Sequence, residues 1–218
     1  MSGAGSPQCS LEIYGNPGSR SPLINWYLAE IKQPFVNMDV RTVPGAAAKN
    51  PHPFGQIPAL RDDDDGMPVE LFESGAILNY LADKYGGLDT PGKRAARGKW
   101  VVWANASLDP VVFKETPEGR VRDTGLRANP PVRAIANLER MLGAREWLVD
   151  DAFSVADVAV GAYLLYALMF FGGTDLSFLP NIAAYMARCA RRPAYVEAFG
   201  QGPADALATA CEGFARKK

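Results

Sequence analysis

The chain has little of what histidine-based chemistry needs. Its 218 residues include one histidine, His52, so a His-rich metal site or a repeated histidine machinery is excluded. Three cysteines, Cys9, Cys189 and Cys211, stand far apart. They form no CxxC pair and no metal-ligand spacing, and an odd number argues against a disulfide framework. No metal is expected, and a reducing, cytoplasmic compartment fits best. Charge is also scarce in excess: the formal net charge is -1, with no basic block. Nucleic acid is therefore not an expected partner. The longest unbroken apolar run, Val158 to Phe171, is too short to span a bilayer comfortably and reads as a buried core helix, so no membrane is expected. Residues 1–10 are small and polar, without the charged start or apolar core of a signal peptide, and are expected to be a flexible terminus. No internal repeat is present, and the Asn105-Ala106-Ser107 match to a glycosylation acceptor carries no meaning in a cytosolic helix.

What is there centres on residues 11–30, LEIYGNPGSRSPLINWYLAE. An apolar run (Leu11, Ile13, Tyr14) gives way to Gly15, Asn16, Pro17 and Gly18, which punctuate regular structure. Leu23, Trp26, Tyr27 and Ala29 then follow a helical spacing, with Pro22 suited to its first turn. A strand thus feeds a turn, and the turn feeds a helix N-terminus, which favours an anion. Ser19 or Ser21 is the expected N-cap, and capping alone would account for both.

Phe35, Val36, Met38 and Val40 suggest a second strand, and residues 41–55 an irregular loop. Ile57, Ala59 and Leu60 suggest a third strand with Pro58, a possible cis proline, near its start. Asp62 to Asp65 and Gly66 read as a solvated hairpin tip, with Val69 and Leu71 in a fourth strand. Ile77, Leu78, Leu81, Ala82 and Tyr85 make one helical face that Gly86 ends. The organisation predicted is an α/β unit over 11–88, a linker at 89–93, and an all-helical domain over 94–218. Within the latter, 94–115 reads as one helix with Trp100, Trp103 and Ala104 toward the core, and 116–130 as a break. A helix over 131–142 follows, then a capping box Ser154-Val155-Ala156-Asp157 before the most apolar helix. Ile182, Tyr185, Met186 and Cys189 mark a further core stripe, and a last helix lies in 203–215.

Four stretches, YGNPGSRSP, FGQIPAL, FESGAILNYLADKYG and FSVADV, occur in order and at a spacing that resembles the soluble glutathione transferases. The resemblance covers about Leu11 to Phe199, and the turn SRSP is most similar to serine-type bacterial and cyanobacterial-like members. It implies a thioredoxin-like N-terminal domain with a mixed four-stranded sheet, followed by an all-α domain. It further implies a cytosolic homodimer that uses glutathione as co-substrate in detoxification, conjugating its thiolate to apolar electrophiles. The thiolate is the nucleophile, so the thiol pKa must fall. By resemblance Ser19 is first in line to donate to the sulfur, Tyr14 second and Ser21 third. Serine and arginine stand at the two columns where thiol-transferring members carry cysteine, which disfavours disulfide exchange.

The same resemblance assigns the backbone of Ile57, before Pro58, to the cysteinyl part of glutathione, and Glu73 and Ser74 to its γ-glutamyl end. Gln56 belongs near the glycyl end, with Lys49 a weak addition. Each has a plainer reading: Tyr14 as a strand core residue, Glu73 as a helix-start acid, Asp157 as structural. Trp103, Phe113 and Tyr166, with Phe170 and Phe171, are apolar enough either for core or for the second-substrate pocket. Two rivals stand beside the transferase: a non-catalytic binding or assembly module of the same fold, and a glutathione-dependent peroxidase or reductase.

Overall fold

A computed structural model describes residues 11–64 and 67–216. The expected flexible terminus, with Cys9, and the Asp65–Gly66 turn lie outside the described residues. Strand β1 (Glu12–Gly15) runs parallel to β2 (Val36–Asp39) and antiparallel to β3 (Ala59–Asp64), which pairs with β4 (Met67–Phe72). The order β2-β1-β3-β4 makes a mixed four-stranded sheet. Helix α1 (Ser21–Glu30) carries the chain across from β1 to its parallel neighbour, as a parallel pair requires. A short α2 (Ala46–Lys49) interrupts the loop expected over 41–55, and α3 (Ser74–Lys84) follows β4. Ile57 stays outside the sheet, because β3 begins only after Pro58, which has no N–H for a ladder.

One acid in the expected solvated tip behaves otherwise. Asp62 is fully buried and accepts from Tyr85 (2.6 Å), Tyr80 (2.9 Å) and Lys84 (2.9 Å). Burial alone would raise its carboxyl pKa, but these donors hold it below the usual carboxylate range. Asp62 keeps the alternation of β3, buried like Leu60 while Arg61 and Asp63 are exposed, and it is not solvated because the polar end of α3 packs over it.

The second part opens earlier than the linker suggested. Thr90 accepts from the Lys93 N–H as the N-cap of α4 (Pro91–Trp103), so residues 91–93 are the first helical turn. The single helix expected over 94–115 is also corrected. It widens into a π-helical segment at Ala104–Leu108 and resumes as α5 (Asp109–Val112). Pro110 supplies the reason: it has no N–H for the carbonyl four residues back, and its ring crowds that turn. Val101 and Ala104 are fully buried, whereas Trp100 and Trp103 are half-buried. The all-helical expectation needs one amendment. Lys114–Glu115 (β5) and Val121–Asp123 (β6) pair as a small antiparallel ribbon around a turn at Gly119, whose positive φ suits glycine. A 3-10 turn (Gly125–Arg127) and helices α6 (Arg133–Leu142), α7 (Val155–Phe170), α8 (Pro180–Ala190), α9 (Pro193–Phe199) and α10 (Gln201–Ala215) complete the chain.

Helix α7 is the axis of the core, buried from Val155 to Ala167 on every face. Its capping box is formed in full. Ser154 accepts from Ala156 N–H at the helix start, and the Asp157 carboxylate accepts from Ser154 N–H at 3.0 Å. Asp157 also accepts from Leu148 N–H (3.0 Å) and the Tyr185 hydroxyl (3.2 Å), tying α8 and the preceding loop to α7. Helix α1 was expected to bury one stripe; Ser21 to Ile24 and Trp26 to Leu28 are all buried, because α1 lies between the sheet and the helices. Glu30 closes that junction. It receives two bonds from the Arg192 guanidinium (2.6 and 2.8 Å) and one from the Trp26 indole (2.8 Å). No helix among the described residues is long and apolar enough to cross a membrane.

Candidate active site

A cavity of about 460 Å³ opens where the turn after β1, the segment before β3 and the start of α3 meet the π-helical segment and α5. Its walls include Gln56, Ile57 and Pro58 from one loop and Glu73 and Ser74 from another. The structure therefore gathers these five expected residues around one space. The Ile57–Pro58 bond is cis. Asn50 fastens the loop, donating from its amide to the Gln56 carbonyl (2.9 Å) and accepting from His52 N–H (3.1 Å). His52 also lines the cavity, its Nδ1 accepting from Phe54 N–H.

Glu73 takes a positive φ of 67° just before α3. A side chain held there stores about 1–3 kcal/mol, and such strain gathers at ligand sites. Ser74, buried beside it, donates to Oδ1 of Asn105 at 3.0 Å. The Tyr163 hydroxyl donates to the same oxygen at 3.0 Å, and the Asn105 amide donates to the Val101 carbonyl. Asn105, which sequence reading dismissed, is the joint between α3, α4 and α7. A side chain at Gly75 would come within 2.8 Å of that amide, so the close approach requires glycine.

The turn after β1 is built differently from expectation. Neither serine is the N-cap of α1; Arg20 occupies that position, without a side-chain capping bond. The Ser19 hydroxyl donates to the Asn16 carbonyl (2.8 Å) and accepts from Ser21 N–H (3.1 Å). Its one proton is thereby engaged, and the Ser21 hydroxyl, 2.8 Å away, must donate to it. Ser21 is buried against Gly15, where any Cβ would overlap its side chain. Neither serine lines the cavity; Arg20 does.

The other expected residues are placed apart. Tyr14 is fully buried with Met38, Ala46 and Ala59, and its hydroxyl donates to Glu12 at 2.6 Å. Burial and the adjacent carboxylate push its pKa up to about 12. With its proton committed to Glu12 and no place in the cavity lining, it is not positioned as the second thiol-donor candidate. Lys49 ends the short α2 and does not line the cavity. Phe113 and Tyr166 meet in an aromatic cluster with Tyr163, Phe170 and Phe171. Trp103 instead packs on Trp100. Sequence reading missed Arg20, His52, Asn105, Asp109 and Tyr163 as cavity residues. The available signal was Pro110, which marks the helix irregularity that brings Asn105 and Asp109 to the wall.

The Arg20 guanidinium pairs with Asp109 on α5 and lies 5.4 Å from the ring centres of both Phe113 and Tyr163. It is the only arginine or lysine among the lining residues, alongside two acids, Glu73 and Asp109. Burial raises the Asp109 carboxyl pKa against the opposing pull of Arg20. The site thus offers backbone groups beside Pro58, one cation, and acid and hydroxyl groups at a helix start. That set suits an extended peptide-like ligand carrying both charges.

Comparison with known proteins agrees. Residues 9–83 match the family described as glutathione S-transferase, N-terminal domain, and residues 109–193 match its C-terminal domain. The glutathione S-transferase GstB of Escherichia coli K12 is 30% identical over 157 residues, covering 66% of this chain and 73% of that protein. The disulfide-bond oxidoreductase YfcG of the same organism is also 30% identical over 157 residues, covering 65% and 70%. A glutathione transferase of Burkholderia graminis, solved with two glutathione molecules bound per subunit, superposes with a TM-score of 0.69 at 25% identity, covering 90% of each chain. The two matched regions together take in most of the chain, and the protein belongs to the glutathione S-transferase family.

Proposed function

We propose that the protein binds glutathione in the cavity between Ile57, Glu73 and Arg20 and joins it through its sulfur to an electrophile. The observation that carries this reading is the convergence of Gln56, Ile57, Pro58, Glu73 and Ser74 on one cavity. In that reading the backbone of Ile57 pairs with the cysteinyl unit, and Gln56 and His52 face the glycyl end. Glu73 and the Ser74 hydroxyl oxygen, whose proton goes to Asn105, meet the ammonium of the γ-glutamyl end, while the first N–H groups of α3 meet its carboxylate. The thiol loses its proton to water, the thiolate forms a bond to an electrophilic carbon, and the leaving group departs with the electron pair of the bond it breaks. The aromatic cluster around Phe113 and Tyr166 is the apolar surface for the second substrate.

A second reading has its own support in the similarity to a disulfide-bond oxidoreductase. A glutathione thiolate can attack a disulfide sulfur as readily as an electrophilic carbon. Titration with glutathione, followed by turnover of 1-chloro-2,4-dinitrobenzene and of hydroxyethyl disulfide, tests both. Conjugation of 1-chloro-2,4-dinitrobenzene with loss of chloride supports the transferase, and disulfide turnover alone supports the reductase. Glutathione binding without either supports the binding module. A homodimer is proposed too, because Phe54 is 78% exposed near half-covered Phe72, both rings flanking His52. Light scattering of the full chain reads it directly.

A further inference from the structure

The turn after β1 raises a question about charge. A thiol held as thiolate needs a donor or a cation beside the sulfur. The Ser19 proton goes to the Asn16 carbonyl, the Ser21 hydroxyl is buried behind it, and the Tyr14 hydroxyl is held by Glu12 on another side of the sheet. Between this turn and the aromatic cluster stands Arg20. Its Nη2 is used by Asp109, whereas among the described residues no acceptor meets its Nε or Nη1. The guanidinium is fixed from the other side by the rings of Phe113 and Tyr163, an arrangement that a planar cation favours. It is thus held in the cavity wall with donors to spare, at the boundary between the space for glutathione and the apolar cluster.

We propose that the Arg20 guanidinium, rather than a serine or tyrosine hydroxyl, meets the sulfur of bound glutathione and holds it as the thiolate. The inference rests on the glutathione reading above. Arg20 is then a catalytic residue, and Asp109, Phe113 and Tyr163 are its positioning residues. Ser19 shapes the turn. The arginine stays protonated throughout, so it takes no proton from the thiol; that proton leaves to water. Glutathione also carries two carboxylates, and the rival use of Arg20 is to anchor one of them.

S-Methylglutathione separates the two uses, since it keeps both carboxylates and has no ionisable thiol. The experiment titrates glutathione and S-methylglutathione into wild type, Arg20→Gln, Arg20→Lys and Ser19→Ala, and follows the ultraviolet absorbance of the bound thiolate against pH. In Arg20→Gln the bound thiol pKa is expected to rise toward the free value of about 8.5. The thiolate fraction near neutral pH then falls about ten-fold per unit. S-Methylglutathione should keep its affinity for that variant, Arg20→Lys should lie between it and wild type, and Ser19→Ala should titrate as wild type does. A raised thiol pKa in Ser19→Ala overturns the proposal, and that variant decides the matter even if Arg20→Gln does not fold. Equal weakening of both ligands in Arg20→Gln also overturns it, making Arg20 a carboxylate anchor while the glutathione reading stands. If wild type binds neither ligand, both fall.

Discussion

Asn105 is the most informative position to perturb, because it lines the cavity and also holds a second lining residue in place. Its Oδ1 accepts from Ser74 and from Tyr163, both at 3.0 Å, and Ser74 faces the cavity. Ser74→Ala removes a hydroxyl that meets a charged group of glutathione. Such a bond is worth about 1.5–3 kcal/mol. That corresponds to roughly ten- to 150-fold in Kd. Asn105→Ala leaves the hydroxyl in place but unpins it, and losing one neutral hydrogen bond costs about 1 kcal/mol, or about five-fold in Kd. If Asn105 acts through Ser74, the double variant binds glutathione no more weakly than Ser74→Ala alone. The coupling energy then equals the whole single-variant effect of Asn105→Ala. Isothermal calorimetry on the four proteins measures it, with thermal denaturation run alongside because Asn105→Ala also frees the Tyr163 hydroxyl. Additive losses in the two single variants would refute the reasoning and give Asn105 its own contact with the ligand.

Three further outcomes are expected. Asp62→Ala leaves the Tyr80 and Tyr85 hydroxyls and the Lys84 ammonium without their shared acceptor, at a cost of about 3 kcal/mol, so urea denaturation at neutral pH shows the loss. Because the folded pKa of Asp62 is lowered, its contribution is present above the unfolded value near about 3.9, and the gap between variant and wild type closes as pH falls through the folded value. Asp157 has the opposite sign: burial raises its pKa to about 6, against the donors around it. The folded state therefore binds the proton more tightly, stability falls as pH rises from about 4 to about 6 by up to about 1.4 kcal/mol per unit, and Asp157→Asn flattens that slope in a pH series of melting curves. Glu73→Gly relieves the positive φ and raises stability by about 1 kcal/mol while weakening glutathione, so a higher melting temperature with a higher Kd is the expected pairing.

The sequence by itself determined the elements whose signals are local. A strand, a turn of Gly15 to Gly18 and a helix with Pro22 in its first turn follow from residues adjacent in the chain, and so does the α7 capping box, whereas a proline at 58 allowed a cis bond without requiring it. The resemblance carried by four such stretches pointed to the fold and to Gln56, Ile57, Pro58, Glu73 and Ser74, which lie close to where elements begin or end. Tertiary structure decided which polar groups are free. Whether Ser19 can donate depends on the Asn16 carbonyl, whether Tyr14 can depends on Glu12, and whether Asp62 is solvated depends on α3 folding over it. Arg20 and Asp109 are 89 residues apart in the chain, and Ser74 and Asn105 are 31 apart. No local pattern encodes such pairs. A hydrogen bond consumes a proton or a lone pair wherever its partner arrives from, so the chemistry left to a side chain is settled only when the chain has closed around it.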